Sequence, residues 1–182
     1  MKNTMRRAMW LSAWITAAGL LLWKLLALRG MLSLFITAGT VCYHMSIRLI
    51  IGFCFDRYMN NRANLQCRWY QTAPWEMWLY QKLRVRQWKG RMPVYDSALF
   101  DLQQHTWTEI AGAMCQAELV HEVNAAVSFV PLLFSVWVGA FPIFLITSII
   151  AAGFDLLFAV IQRYNRPRVM RLAVRTAEYT GI

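Results

Sequence analysis

The chain has 182 residues, enough for one domain, and 58% of them are hydrophobic. This fraction and the mean hydropathy of +0.36 exceed what the core of a soluble domain of this size requires, so the composition indicates an integral membrane protein. The net charge of +10 would suit nucleic-acid binding only in a recognisable basic module, and none is evident, so we expect no nucleic-acid partner and cations that face anionic lipid.

Four apolar segments have about the 20 residues that a membrane-crossing helix needs. They are Met9 to Leu28, Met31 to Phe55, Val123 to Val138 and Phe141 to Ile161. Gly139 and Pro142 separate the last two segments and predict a tight reversal, hence a C-terminal helical hairpin. The expected fold is an all-α integral membrane protein with about four transmembrane helices in one membrane domain spanning residues 1–182.

The positive-inside rule orients this fold. Nearly all of the 19 lysines and arginines precede the first segment, follow the second or follow the fourth, whereas Arg29 stands alone in a candidate outer connection. We therefore expect a multi-pass membrane protein with both termini, and the segment from Asp56 to Glu122, on the cytoplasmic side.

The segment between the two pairs of membrane helices carries helical signals of its own. Trp75, Trp78, Leu79 and Leu83 recur at helical spacing, which predicts a helix lying in the membrane interface. Thr106 and Glu109 have the spacing of a capping box, so that a second helix is predicted to start at Trp107 and to run into the third membrane segment.

On that second helix, Glu118, His121 and Glu122 share one face just before the apolar run. A carboxylate can orient an imidazole and stabilise its charged form while the ring takes a proton from a hydroxyl, which is general-base chemistry. The same pattern also fits an ordinary interfacial polar face, and the spacing leaves both interpretations open.

A metal centre is not predicted. The chain has a single ExxH motif, whereas the di-iron carboxylate bundles draw on two such motifs with further glutamates. It has no HExxH motif, and its four cysteines lack CxxC spacing, so neither a zinc site nor a disulfide framework is indicated.

Charged residues also occur within the apolar segments. His44 and Arg48 lie one turn apart in the second segment, and Asp155 lies in the fourth. An ionisable residue at membrane depth costs at least a few kcal/mol, so Arg48 is expected to face the bundle interior, a polar cavity or the interface. A pairing of Arg48 with Asp155 follows, with a structural or a functional role.

The fourth segment is followed by "QRYNRPR", from Gln162 to Arg168. Proline disfavours helical geometry at the preceding residue, so the helix is predicted to end near Asn165. The arginines could contact lipid phosphate, or bind the phosphates of a phosphorylated donor in a bidentate manner.

From about Tyr43 to Arg175 the chain resembles the glycosyl-4,4'-diaponeurosporenoate acyltransferases, small bacterial membrane proteins of a carotenoid pathway. The resemblance rests on three motifs in order: "WEMWLYQKLRVRQWKGRMP" from Trp75, "AELVHE" from Ala117 and "QRYNRPR". It implies transfer of a fatty acyl group onto a sugar hydroxyl of a glycosylated isoprenoid lipid at the membrane. Two departures, the additional apolar N-terminal segment and Glu122 where the family has tryptophan, concern the acceptor more than the fold.

The resemblance implies that His121 is a general base oriented by Glu118. It assigns Arg163, Arg166 and Arg168 to binding of donor or lipid phosphate. The full set of residues expected to bind substrate or phosphate is Trp88, Lys89, Arg163, Tyr164, Asn165, Arg166 and Arg168. Glu122, His44 and Arg48 are expected to support the site, with an acyl donor such as acyl-CoA as co-substrate, no other cofactor, and membrane lipids and a glycosylated lipid acceptor as partners. The second hypothesis is a noncatalytic membrane protein that binds an isoprenoid or glycolipid or scaffolds a biosynthetic complex.

Overall fold

The computed structural model describes residues 2–26, 29–93 and 98–180, and within these ranges the regular structure is entirely helical. Its α-helices are α1 (Lys2–Leu26), α2 (Arg29–Met59), α3 (Pro74–Lys82), α4 (Val85–Trp88), α5 (Trp107–Val127), α6 (Pro131–Val138) and α7 (Phe141–Thr180). Short 3-10 turns occupy Arg68–Tyr70, Lys89–Arg91 and Ala98–Phe100. Four stretches are long and apolar enough to cross a membrane: Asn3–Leu25, Gly30–Met59, Trp107–Val138 and Phe141–Thr176. The predicted all-α membrane fold is confirmed.

The chain divides into two compact units. The first unit comprises Met1–Gly52 and Val123–Asp155, and the second comprises Phe53–Glu122 and Leu156–Ile182. In the first unit many large apolar side chains are exposed, among them Trp14, Val136, Trp137 and Ile150. A contiguous apolar exterior of this kind suits contact with lipid rather than with water.

Small residues bring α1 and α2 together in the first unit. A Cβ atom added to Gly19 would lie 3.4 Å from the Cα atom of Phe35, and one added to Gly39 would lie 3.5 Å from the Thr16 methyl group. An added Cβ atom would be in ordinary van der Waals contact at both positions, so the two glycines lie where α1 and α2 approach each other, as small residues commonly do between membrane helices.

The pairing of Arg48 with Asp155 is confirmed in the first unit, where their side chains form an ion pair. Arg48 also donates hydrogen bonds to the carbonyl oxygens of His44 (2.8 Å) and Ala151 (2.9 Å). Asp155 is 2% exposed, so Arg48 faces the interior of this unit, as its cost at membrane depth requires.

The third predicted membrane segment, Val123 to Val138, lies within the candidate span Trp107–Val138, but its helix is interrupted. α5 ends at Val127, and α6 begins at Pro131 after a short connection whose hydrogen bonds run from i to i−3, as from Val130 N–H to the Val127 carbonyl at 3.1 Å. Proline has no N–H to continue the α-helical ladder, which explains the interruption. α6 then ends at Gly139, which is left-handed (φ 75°), and a two-residue connection leads into α7 as the hairpin prediction requires.

In the second unit, α2 ends in a turn formed by Asn60 and Asn61, both of which have positive φ. The turn packs directly on α5, because a Cβ atom at Gly112 would lie only 2.5 Å from the Asn61 carbonyl oxygen. Gln116 fixes the contact, accepting from the Asn61 N–H (2.7 Å) and donating to the Asp56 carboxylate (3.0 Å). Gln116 of α5 thus links the end of α2, at Asp56, to the turn at Asn61.

Both helices predicted in this segment are present. α5 begins with a reciprocal capping box, in which the Thr106 N–H donates to the Glu109 carboxylate (2.8 Å) and the Glu109 N–H donates to the Thr106 hydroxyl (3.3 Å). α3 exposes Trp75 and Trp78 and buries Tyr80. Its position in the membrane interface stays a prediction.

The prediction that the last membrane helix ends near Asn165 is wrong, because α7 continues to Thr180 with Pro167 inside it. An internal proline deletes one backbone hydrogen bond and costs about 3 kcal/mol. Residues just before Pro167 make tertiary contacts that offset this cost: Asn165 accepts from Lys89, and Arg166 pairs with Glu118. The polar motif is therefore held in helical geometry by its side-chain partners.

Candidate functional site

Helical geometry separates the side chains of "QRYNRPR" into two groups. Arg163 and Arg166 lie at i and i+3, whereas Tyr164 and Arg168 lie at i and i+4 on a neighbouring face. The first group contacts acidic side chains and the second group lines a basic surface. All of these residues belong to the second unit.

The first group forms an ion-pair network of Glu76, Glu118, Arg163 and Arg166. Arg163 binds Glu76 in a bidentate manner, through Nε (2.6 Å) and Nη2 (2.9 Å), and donates to Glu118 through Nη1 (2.7 Å). Arg166 pairs with the other oxygen of Glu118 and also donates to the backbone carbonyl of Tyr70. Two carboxylates thus neutralise two guanidinium groups.

The network is buried, with Glu118 0% and Arg166 3% exposed. Ions removed from water need close partners to offset their desolvation, and here each ion has at least one. Arg163 and Arg166 therefore already have carboxylate partners where the sequence analysis expects a phosphate ligand. Both oxygens of Glu118 accept from guanidinium groups, and its role in orienting His121 stays a prediction.

Glu76 and Tyr70 also contact the two arginines, but the sequence did not predict them as site residues. Glu76 occupies the third position of α3, where it accepts from the Ala73 N–H (3.3 Å). A glutamate at this position of a sequence indicates a helix cap and nothing about a more distant partner. The Tyr80 hydroxyl also donates to Glu76 (2.9 Å), and Tyr70 contributes a backbone carbonyl. Burial raises the pKa of Tyr70 to about 12, so Tyr70 is protonated at neutral pH.

Glu76 should make the stability of the protein depend on pH. Burial opposes ionisation of Glu76, but hydrogen bonds from Arg163, Tyr80 and the Ala73 N–H outweigh this effect, and the pKa of Glu76 is lowered. A lowered folded-state pKa stabilises the protein above the unfolded pKa of about 4.3, and the contribution is lost as pH falls through the folded-state value.

We expect Glu76→Gln to lower the thermal unfolding midpoint at pH 7, with a difference from wild type that shrinks as the pH falls below about 4.3. Thermal unfolding of both proteins in the same detergent, measured from pH 7 to about pH 3, tests this. The two proteins share all other titratable groups, which largely cancel in the difference. A difference that stayed constant over this range would contradict the assigned role of the Glu76 carboxylate.

The second group lines a basic cleft of about 360 Å³. Its lining residues are Tyr80, Gln81, Arg84, Arg86, Gln87, Tyr164 and Arg168. Arg168 Nη2 donates to the Tyr164 hydroxyl (2.9 Å), and the guanidinium group lies 4.7 Å from the centre of the tyrosine ring. The cleft thus contains one arginine of "QRYNRPR" and two from the motif that begins at Trp75.

Trp88 and Lys89 adjoin this cleft and have different contacts. The Trp88 indole N–H donates to the Leu83 carbonyl (3.0 Å), and its ring packs against the core of Tyr80, Val85 and Tyr164. Lys89 donates to the Asn165 side chain, and its ammonium group lies 5.0 Å from the centre of the Tyr164 ring. Lys89 and Asn165, both predicted site residues, are thus in direct contact.

His121 and Glu122 follow Glu118 on α5. The imidazole of His121 stacks on the ring of Phe158, with centroids 4.9 Å apart and planes inclined by 14°. Glu122 accepts from the Trp69 indole N–H (3.0 Å) and lies 4.0 Å from Arg163. Stacking on Phe158 favours one orientation of the imidazole ring.

His44 and Arg48 belong to the first unit. His44 is 4% exposed, and neither of its ring nitrogens has a hydrogen-bond partner among the described residues. Their expected support of the site stays a prediction. Among the residues that the structure describes, no cluster of three His, Cys, Asp or Glu side chains could hold a metal ion.

Comparison with known proteins gives one family. Residues 66–175, more than half of the chain, match the family model described as glycosyl-4,4'-diaponeurosporenoate acyltransferase. The matched range contains all three motifs, the ion-pair network, the basic cleft and His121, whereas His44 and Arg48 precede it. Searches of the curated proteins and of the solved structures found no match.

Proposed function

This chain belongs to the glycosyl-4,4'-diaponeurosporenoate acyltransferase family, and on that premise we propose that it transfers a fatty acyl group onto a hydroxyl of a glycosylated isoprenoid or related lipid. One observation carries the proposal beyond family membership: the three motifs contact one another. Glu118 of "AELVHE" binds Arg163 and Arg166 of "QRYNRPR", and Lys89 of the first motif binds Asn165. These contacts bring residues of all three motifs together within the second unit.

In the proposed reaction His121 is the general base. It removes the proton from the acceptor hydroxyl as the oxygen attacks the carbonyl carbon of an acyl thioester, such as acyl-CoA. The new carbon–oxygen bond forms, the carbon–sulfur bond breaks, and the imidazolium returns the proton to the departing thiolate. Phe158, stacked on the imidazole, fixes the plane of the base.

The buried ion-pair network supports this role of His121 indirectly. Glu118 lies one helical turn before His121 on α5 and is fixed by two guanidinium groups. A helix turn anchored in this way limits the movement of the base relative to the rest of the second unit. Precise placement of a general base accounts for a large part of its effect on rate.

The proposal includes a location and partners. The protein lies in the bacterial cell membrane, with both termini and the segment from Asp56 to Glu122 on the cytoplasmic side, as the distribution of Lys and Arg favours. Its partners are membrane lipids, the glycosylated lipid acceptor and the acyl donor, with no nucleic acid. It needs no metal and no cofactor besides the donor.

Replacing His121 with alanine is expected to reduce acyl transfer by about a hundredfold, the lower end of the contribution of a general base. The assay uses purified full-length protein in nanodiscs with acyl-CoA and a glycosylated carotenoid acid, and mass spectrometry detects the acyl ester. A loss of turnover with unchanged thermal stability would support a chemical role.

His105→Ala is the matched control, because His105 lies in the second unit but outside all three motifs and is expected to change turnover by less than about twofold. Unchanged activity of His121→Ala would exclude His121 as the base. A wild-type protein that copurified with lipid but turned over no acyl donor would instead favour the noncatalytic lipid-binding hypothesis.

A further inference from the structure

The basic cleft contains several cations close together. Arg84, Arg86 and Arg168 line it and Lys89 lies beside it, and among the described residues no aspartate or glutamate contributes to the lining. Within the described ranges none of these four side chains pairs with a carboxylate, in contrast to Arg163 and Arg166. Converging positive charges repel one another and raise the local concentration of anions.

Tyr164 holds two of these cations in place. Its ring centre lies 4.7 Å from the Arg168 guanidinium group and 5.0 Å from the Lys89 ammonium group, and its hydroxyl accepts from Arg168 (2.9 Å). Tyr164 is itself buried against Tyr80, with ring centroids 6.0 Å apart. These cations are thus positioned before any ligand arrives, which lowers the entropic cost of binding.

The turn before α4 brings the other two arginines to the cleft. Arg84 has a left-handed backbone (φ 51°, ψ 39°), its N–H donates to the Gln81 carbonyl (3.0 Å), and its carbonyl accepts from Gln87 (2.8 Å). A left-handed arginine is unfavourable by itself and persists only where the surroundings impose it, as happens often at ligand sites. Arg86 follows on α4, and both side chains are exposed.

The electrostatics of Lys89 are consistent with a positive cleft. Burial lowers the pKa of Lys89, and the nearby charges of Arg168 and Arg86 lower it further. An anion bound among these side chains would oppose both repulsive contributions.

We infer that the basic cleft binds a phosphate group and, on the proposed function, that this phosphate belongs to the acyl donor. Arginine side chains bind phosphate oxygens in pairs with defined geometry, so that Arg84, Arg86 and Arg168 suit a phosphate or diphosphate. The cleft of about 360 Å³ lies at the small end of the range for ligand pockets, so it accommodates the phosphate-bearing part and not a whole lipid. A phospholipid headgroup is the other source of the same chemistry.

The test measures binding rather than turnover. Full-length protein in neutral detergent is titrated with coenzyme A by calorimetry, and in a second series a dansyl-labelled phosphatidylglycerol is added and energy transfer from tryptophan is recorded. Both series compare wild type with Arg84→Gln/Arg86→Gln and with the control Arg57→Gln/Arg62→Gln, which removes two exposed charges of the second unit outside the cleft. Thermal unfolding verifies that all variants fold.

We expect the cleft variant to bind coenzyme A at least about tenfold more weakly, and the control to change by less than about twofold. Weakened binding of phosphatidylglycerol with unchanged binding of coenzyme A would keep the phosphate site and assign it to lipid, overturning the donor assignment. If neither ligand were weakened more than in the control, the inference would be wrong.

This result is separable from the test of the proposed function. His121→Ala should retain wild-type affinity for coenzyme A, because His121 does not line the cleft. A cleft variant that binds normally beside an inactive His121→Ala would overturn the phosphate site alone. The opposite pair of results, weakened binding in the cleft variant with full activity of His121→Ala, would overturn only the base.

Discussion

Glu118→Gln is expected to destabilise the second unit by about 3–5 kcal/mol, the usual cost of removing one partner from a buried ion pair. Glu118 is 0% exposed and accepts from both Arg163 and Arg166, of which Arg166 is 3% exposed. An amide keeps the shape of the side chain and one acceptor oxygen but supplies no charge, so that among the described residues Arg166 loses its carboxylate partner while it keeps the backbone carbonyl of Tyr70. The measurement is thermal unfolding of purified protein in detergent.

Glu122→Gln is the matched control for this experiment. Glu122 lies one turn further along the same helix and is 27% exposed, and its distance to Arg163 is 4.0 Å. A long, partly exposed pair of this kind contributes about as little as a surface pair, 0–1 kcal/mol, so the control should unfold close to wild type. Equal effects of the two substitutions would show that Glu118 does not act as the counter-ion of a buried network.

Local sequence signals predicted most of the fold. Apolar length identified the four membrane segments, the spacing of Thr106 and Glu109 located the start of α5, and Gly139 marked the end of α6. Each of these features depends on residues within a few positions of one another. Such short-range patterns are present in a single sequence before any tertiary contact is known.

The two helix boundaries that differ from the sequence-based expectation both lie next to a proline, Pro131 or Pro167. The rule that a helix ends before proline predicts a boundary near Asn165, but contacts of Asn165 and Arg166 with distant residues hold α7 through Pro167. At Pro131, in contrast, the helix is interrupted: α5 ends at Val127 and α6 begins at Pro131. The proline rule describes a local preference of about 3 kcal/mol, which tertiary contacts can exceed.

The candidate site was predicted in part. Its motif residues were predicted. The sequence did not predict that Arg163 and Arg166 pair with carboxylates, whereas Arg168 has no carboxylate partner in the part of the chain that the structure describes. That difference depends on Glu76, whose sequence position indicates only a helix cap, and on Glu118. The packing of α3 and α5 against α7 decides which arginine meets a carboxylate, and no local pattern encodes it.

Replacing Arg48 with methionine is expected to destabilise the first unit by about 3–5 kcal/mol, because it removes the cation paired with Asp155, which is 2% exposed. The carbonyl oxygens of His44 and Ala151, which also accept from Arg48, lie within helices and keep their helical donors. The loss therefore derives mainly from the removal of the Arg48 cation from the buried Asp155 carboxylate. Thermal unfolding in nanodiscs measures it, with Lys24→Met as a control for loss of an exposed cation at a helix end.

The double substitution Arg48→Met/Asp155→Leu separates a structural ion pair from a functional one. Replacing both partners with apolar side chains removes the desolvation cost along with the attraction, and such replacements are commonly neutral or stabilising. We expect the double variant to recover most of the stability lost by Arg48→Met, whereas additive losses would contradict a simple pair. If the double variant also retained acyl transfer, the ion pair would have only a structural role. If it regained stability but not acyl transfer, the ion pair would be required for activity.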